Sequence, residues 1–287
     1  MNKYMMRLRV GVPGHGRKCA RILGIPTVSQ SGMIRDAGHD KDGETYGPLE
    51  DFCDEDVFIN YGVCHETRYI EDLRRDHVRI INDPEHTALS SDKVKTLAIL
   101  KSAGVPALTF MTNKEQAKEF MSTYAMHPSR IYCRTLTRSK KGKGIVIASC
   151  QNELVDAPLY TVEFPKTHEY RVHVAGGNVI DWVQKKRCPR LSEDGEVNED
   201  VRNRGRGWYF SHKNRRGHQK IRDIAVRAVE ALGLDYAAVD MLAIWKPNAH
   251  GKMQLQDCVC CEINSAPGLT SRISLEAYIK YFNGITR

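Results

Sequence analysis

Oxygen-bearing side chains collect late in the sequence. Asp240 is followed by Glu262-Ile263-Asn264 and then by Ser265-Ala266-Pro267-Gly268-Leu269. Glu262 and Asn264 are two positions apart, so on a strand both point to one face. If Asp240 lies on the adjacent strand, hard oxygen donors meet at one end of a sheet. Such donors suit Mg2+ or Mn2+, which bridge phosphates, and the Pro-Gly pair would turn the chain away and keep the site open. Spacing alone fits a solvated strand end with an ordinary turn equally well. A basic loop tips the balance: Arg187, Asn203, Arg204 and Arg206 could surround a triphosphate, with Gly205 and Gly207 letting the backbone approach closely.

Positioning those donors requires a strand-rich second half. Tyr160 to Phe164 and Tyr170 to Val174 read as short strands, and Gly176-Gly177 supplies a hairpin turn into Asn178 to Lys185. Ile221, Ile224, Ala225, Ala228, Val229 and Leu232 form an apolar helical stripe, which Gly233 ends. Two strands follow, Ala237 to Trp245 and Met253 to Ile263, joined by the Pro247 to Gly251 turn. Ser271 to Phe282 forms a last helix.

Earlier, Leu8 to Val12, Val57 to Asn60 and Val78 to Ile81 are strand candidates, with a short helix through Ala20 and Leu23. Ser29 to Asp56, rich in Gly and Asp, reads as a long loop or flap. Ser90 or Ser91 caps a helix carrying Val94, Leu97 and Ala98. Thr112 and Glu115 have capping-box spacing before a second helix that ends near Ala125. Strands return at Arg130 to Leu136 and Ile145 to Ala148. The expected class is α/β with α+β lobes: an N-terminal α/β domain over 1–88, a central lobe over 89–165 and a C-terminal lobe over 166–287.

With 27% charged and 41% hydrophobic residues, the 287-residue chain is not disordered. No apolar run reaches membrane-spanning length, so no membrane partner is expected and a cytoplasmic location is the default. Nine dispersed cysteines read as reduced thiols rather than a disulfide scaffold. Cys258, Cys260 and Cys261 make a poor zinc site, because alternating strand side chains cannot all converge on one ion. The formal charge of +8 favours anionic partners without singling out nucleic acid; its concentration at Arg138 to Lys143 and Lys185 to Arg222 makes ATP the economical explanation. Gly11 to Gly16 lacks the Gly-Lys-Ser/Thr ending of a P-loop and reads as a tight strand-to-helix turn. His168, beside Glu169, is the histidine closest to a motif.

Taken in order, Asp240, Glu262, Asn264 and Ser265 to Gly268 resemble the terminal metal-binding signature of ATP-grasp enzymes, within them the branch of ribosomal-protein glutamate ligases and related peptide-like amide ligases. The resemblance runs from Ser91 to Leu269. It implies an ATP-grasp fold, with a small N-terminal domain and two lobes clamping a nucleotide. By the same resemblance, Lys93 approaches phosphate, and Val162, Glu163 and Phe164 line the adenine hinge. Glu169 and Arg171 follow the hinge, and Arg187 and Asn203 stand near the reaction centre. Lys141, Gly142, Lys143 and Gly144 resemble the glycine-rich flap. Arg134 departs from the pattern, which usually has lysine there; its planar fork keeps the charge but changes the reach.

The resemblance further implies ATP and two divalent ions as cofactors, held by Asp240, Glu262 and Asn264, and a carboxylate donor joined to an amine acceptor, whether amino acid, peptide or protein. Homo-oligomerisation is compatible with it. A noncatalytic ATP-sensing or nucleic-acid-associated module is the alternative.

Overall fold

The computed structural model describes residues 3–7, 15–29, 33–35, 45–48, 54–124, 130–137, 144–192 and 196–285. The first sheet draws on β1 (Lys3–Arg7), β2 (Thr27–Ser29), β3 (Met33–Arg35), β4 (Thr45–Pro48), β5 (Val57–Tyr61) and β6 (Arg79–Ile81), in the order β4-β3-β2-β1-β5-β6. Its β2-β1-β5-β6 portion is parallel, which requires crossovers; α1 (His15–Leu23) and α2 (Arg68–Arg75) supply them. All five residues of β5 are buried, as expected of a strand covered on both faces. The strand expected at Leu8 to Val12 falls on residues outside the described set, as does most of the Gly11 to Gly16 turn. Ser29 to Asp56 holds β3 and β4 rather than loop alone.

Two helices follow, α3 (Pro84–Ser91) and α4 (Lys93–Ser102). The expected serine cap is corrected here. Ser90 and Ser91 end α3, their hydroxyls donating back to Thr87 and Ala88 carbonyls. The cap of α4 is Asp92, whose carboxylate accepts from the N–H groups of Val94 and Lys95 at 3.0 and 3.2 Å and places a negative charge at the positive helix end.

The second sheet is antiparallel, in the order β7-β10-β8-β9, from β7 (Phe110–Met111), β8 (Ile131–Arg134), β9 (Ile145–Ala148) and β10 (Leu159–Val162). Its helix is α5 (Lys114–Thr123), capped by Asn113 and not Thr112; the box is shifted by one residue, with Gln116 Oε1 accepting from the Thr112 N–H.

The third sheet is antiparallel and contains β11 (His168–Ala175), β12 (Asn178–Ser192), β13 (Arg206–Ser211), β14 (Tyr236–Pro247) and β15 (Met253–Asn264), in the order β13-β12-β11-β14-β15. Gly176 and Gly177 both take positive φ, at 56° and 71°, the backbone that a tight hairpin demands. The apolar face of α6 (Gln219–Ala231) packs on this sheet. No helix among the described residues is long and apolar enough to cross a membrane.

The cores cross the sequence divisions. Leu100 and Val105, at and after the end of α4, belong to the core under the third sheet. Tyr278 and Phe282 of α7 (Arg272–Asn283) share a core with Met5, Val57 and Ile59 of the first sheet and with Tyr236 of β14. The second sheet has a core of its own, built from Ala117, Ile131, Cys133, Ala148, Leu154 and Tyr160, and the first sheet keeps a second core to itself on its other face, built from Tyr4, Val28, Phe58, Val63, Ile70, Leu73 and Val78.

Candidate active site

The register of β14 and β15 places Asp240 directly opposite Glu262. This pairing is not the one a regular hairpin would give. From the turn, Pro247 pairs with Met253 and Trp245 with Leu255; two register shifts, at Ile244/Trp245 and Asp240/Met241, then slide β15 until Glu262 faces Asp240 and Asn264 faces Ala238. Bulges of this kind are common beside sites because they re-aim side chains. Across β11 the same row continues, Arg171 standing opposite Asp240. The Arg171 fork grips Asp240, Nε to Oδ1 at 2.7 Å and Nη2 to Oδ2 at 2.9 Å, and lies 4.6 Å from the Phe210 ring centroid. Burial by itself would raise the Asp240 pKa; the adjacent guanidinium outweighs it and holds the carboxyl below its ordinary value. Lys93, first residue of α4, reaches Glu262 at 3.4 Å.

These residues stand along a cleft of about 720 Å3 between the second and third sheets. Of the residues expected at a site, Lys93, Arg134, Val162, Glu163, Phe164, Arg171, Asn203, Asp240, Glu262 and Asn264 all line it. Arg187 does not: its side chain is 62% exposed and it pairs with Glu199 at 3.6 Å. Lys141 and Gly142 lie outside the described residues. Gly144, with φ at 71°, accepts through its carbonyl from the Thr135 N–H at 2.8 Å where the flap rejoins β9, and it is not among the lining residues.

The cleft also holds Glu169, expected only as part of the charged motif after the hinge, and groups that were not expected around it. Glu169 is enclosed by Lys166 and Lys185, each at 2.7 Å, and by Arg202 at 3.8 Å. Burial would raise its pKa, but Lys185 and Lys166 bring it below the usual value. Arg202 stacks 4.2 Å from the Trp208 centroid. Leu108, Ile145, Leu242 and Cys261 give the cleft an apolar stretch beside the hinge. His168 stays away from it: its Nδ1 meets Thr167 Oγ1 at 2.9 Å, and burial, with Arg216 and other cations nearby, pushes its pKa down to about 4, leaving it neutral. Cys258 and Cys260 are buried, and among the described residues no group of three or more His, Cys, Asp or Glu is arranged to hold a metal ion.

The architecture and cleft can be set beside known proteins. The ATP-grasp ligase PsnB, solved with a minimal precursor, superposes with a TM-score of 0.58 over 97% of both chains at 15% identity. The chain has the ATP-grasp fold. A second solved example, the VanG D-Ala:D-Ser ligase from Enterococcus faecalis, matches with a TM-score of 0.57 over 99% of this chain and 96% of that one, at 13% identity. In sequence, the chain is 26% identical over 198 residues to a probable alpha-L-glutamate ligase from Alkalilimnicola ehrlichii, covering 66% of this chain and 60% of that protein. The chain therefore spans about 60% of the length of that curated relative. No family model matches.

An ATP-grasp fold implies ATP and a divalent metal, and the residues present fit such an ion. Two facing carboxylates and an amide sit at one end of the cleft. The Asn264 Nδ2 is buried without a hydrogen-bond partner; this amide donor suits an acceptor oxygen of a ligand, while its Oδ1 is the atom that could meet a cation. Hard oxygen donors of this kind suit Mg2+ or Mn2+.

Proposed function

We propose that the chain is an ATP-dependent carboxylate-amine ligase. The observation that carries this reading is a single cleft with an apolar hinge at one end and Asp240, Glu262 and Asn264 at the other. In the proposed reaction a substrate carboxylate attacks the γ-phosphate of ATP, giving an acylphosphate and ADP; an amine then attacks the carbonyl and expels phosphate. Two divalent ions held by Asp240, Glu262 and Asn264 would offset phosphate charge.

The chain's own groups do the rest. Val162, Glu163 and Phe164, facing Leu242 and Cys261, form walls of a size and polarity suited to a base. Arg134 and Lys93 bring positive charge to the phosphate path. Arg171, fixed by Asp240 and Phe210, stands where negative charge is transferred. Asn203 aligns the reacting groups from the loop before β13, whereas Arg187 serves this role only by turning inward from its exposed position. The segment from Lys141 to Gly144 excludes water, which would otherwise hydrolyse the acylphosphate. Domains divided near residues 88 and 165 belong to the same proposal.

The test is to incubate the protein with ATP, Mg2+ and pooled amino acids and peptides. Ligation predicts ADP release that needs both an acid and an amine, together with a product whose mass equals their sum less water. Fragmentation of that product locates the amide and names the donor. Nucleotide binding without turnover in any pool would instead favour a binding module, the reading to which Arg134 in place of lysine lends weight.

A further inference from the structure

The two sides of the cleft are held by different forces. On one side the second sheet meets the third through Leu97, Leu108, Leu159, Leu242 and Val259, a contact that persists because parting it exposes carbon to water. On the other side the junction is polar. Asp200 lies in the loop that precedes β13, and this loop is anchored to its own sheet: Trp208 Nε1 donates to the Asn198 carbonyl at 2.8 Å and Lys185 Nζ to the Arg202 carbonyl at 2.6 Å. From that anchored loop Asp200 reaches over to the second sheet. Arg130, next to β8, donates through Nη1 to Asp200 Oδ2 at 3.2 Å and through Nη2 to Oδ1, while the Tyr132 hydroxyl donates to Oδ1 at 3.3 Å. The same guanidinium holds hinge residue Glu163, Nε to Oε2 at 3.0 Å.

A forked, charge-assisted bond is strong for its size, yet Arg130 and Asp200 are 35% and 31% exposed, so water can compete for both partners. A contact that is firm when made and easily hydrated when broken is suited to opening and closing. We propose that Asp200 is a positioning residue that latches the loop bearing Asn203 and Arg204 to the second sheet at the mouth of the cleft, through the guanidinium that also holds Glu163, and so holds the cleft shut. Retention of nucleotide follows from the closure and rests on the function proposed above; the closure itself does not.

The protein carries its own reporter. Cys261 is half-buried and lines the cleft, and Cys150 is exposed in the turn after β9. Alkylation of each by iodoacetamide, followed by peptide mass spectrometry without nucleotide, reads cleft opening at Cys261 against Cys150 as control. Asp200→Asn is expected to raise the Cys261 rate by about three- to tenfold, the range of a partly hydrated ion pair, with Cys150 unchanged and Asp200→Glu restoring most of the protection. Release of a fluorescent ATP analogue should accelerate by a similar factor. Equal Cys261 rates in a folded Asp200→Asn protein overturn the latch, and so does a parallel rise at Cys150, which marks general loosening. A rise at Cys261 alone, in proteins that bind no nucleotide, supports the latch while removing the nucleotide assignment. If Asp200→Asn melts early, Tyr132→Phe removes one bond of the latch and carries the same comparison with a smaller rise.

Discussion

Asp240→Asn should slow acid- and amine-dependent ADP formation by about 10²- to 10³-fold while leaving nucleotide binding measurable, and Glu262→Gln should behave alike. Both changes keep the side-chain volume and remove a negative charge. In the Asp240 variant the loss is double, since the carboxylate both faces Glu262 and neutralises Arg171. Asparagine can accept from only one arm of the guanidinium fork, so Arg171 would lose its fixed orientation. Part of the effect will be a stability loss, because a half-buried arginine is left without its counter-charge. A thermal melt run alongside normalises the rates to folded protein. Undiminished turnover in both variants would remove these carboxylates from the chemistry.

The largest stability loss is expected far from the cleft, at Asn82. This residue is fully buried and takes a left-handed backbone, with φ at 58°. Its Oδ1 accepts from the N–H groups of Asp235 and Tyr236 at 2.8 and 3.0 Å, and its Nδ2 donates to the Tyr236 carbonyl at 2.7 Å. Asn60 Nδ2 in turn donates to the Asn82 carbonyl at 2.7 Å. Alanine would leave three backbone groups without these partners, at about 1–3 kcal/mol each where water cannot enter, and would pay the left-handed penalty as well. Asn82→Ala should therefore lose at least about 4 kcal/mol of the roughly 5–15 kcal/mol that domains possess. Chemical denaturation measures it, and a change below about 1 kcal/mol would mean that water replaces the side chain.

The resemblance carried the fold, and the alternation of residues carried the shared face of Glu262 and Asn264. What the sequence does not display is register. Counting back from the Pro247 to Gly251 turn in a regular hairpin brings Cys260, not Glu262, against Asp240; two bulges make the difference. The cations around Glu169 were hidden similarly, since a shift between His173 and Val174 resets β11 against β12 after the glycine turn. A bulge inserts one residue without changing composition, so periodicity alone is blind to it. Caps were misplaced by one or two positions because neighbouring Ser, Asn and Asp residues all accept from helix N–H groups, and the backbone angle chooses among them. Arg187 is not among the residues lining the cleft for another reason: a motif position fixes where a residue sits along the strand, while the reach of its long side chain is set by contacts such as its ion pair with Glu199.

The shared cores have a mechanical consequence. Tyr236, Tyr278 and Phe282 fuse the first sheet to the third, and Leu100 and Val105 bind α4 to the same body. Three sheets thus amount to a rigid chassis with one jaw. Any movement about a bound molecule would then fall to the second sheet, pivoting on its leucine-rich edge, and a single angle between jaw and chassis would describe it.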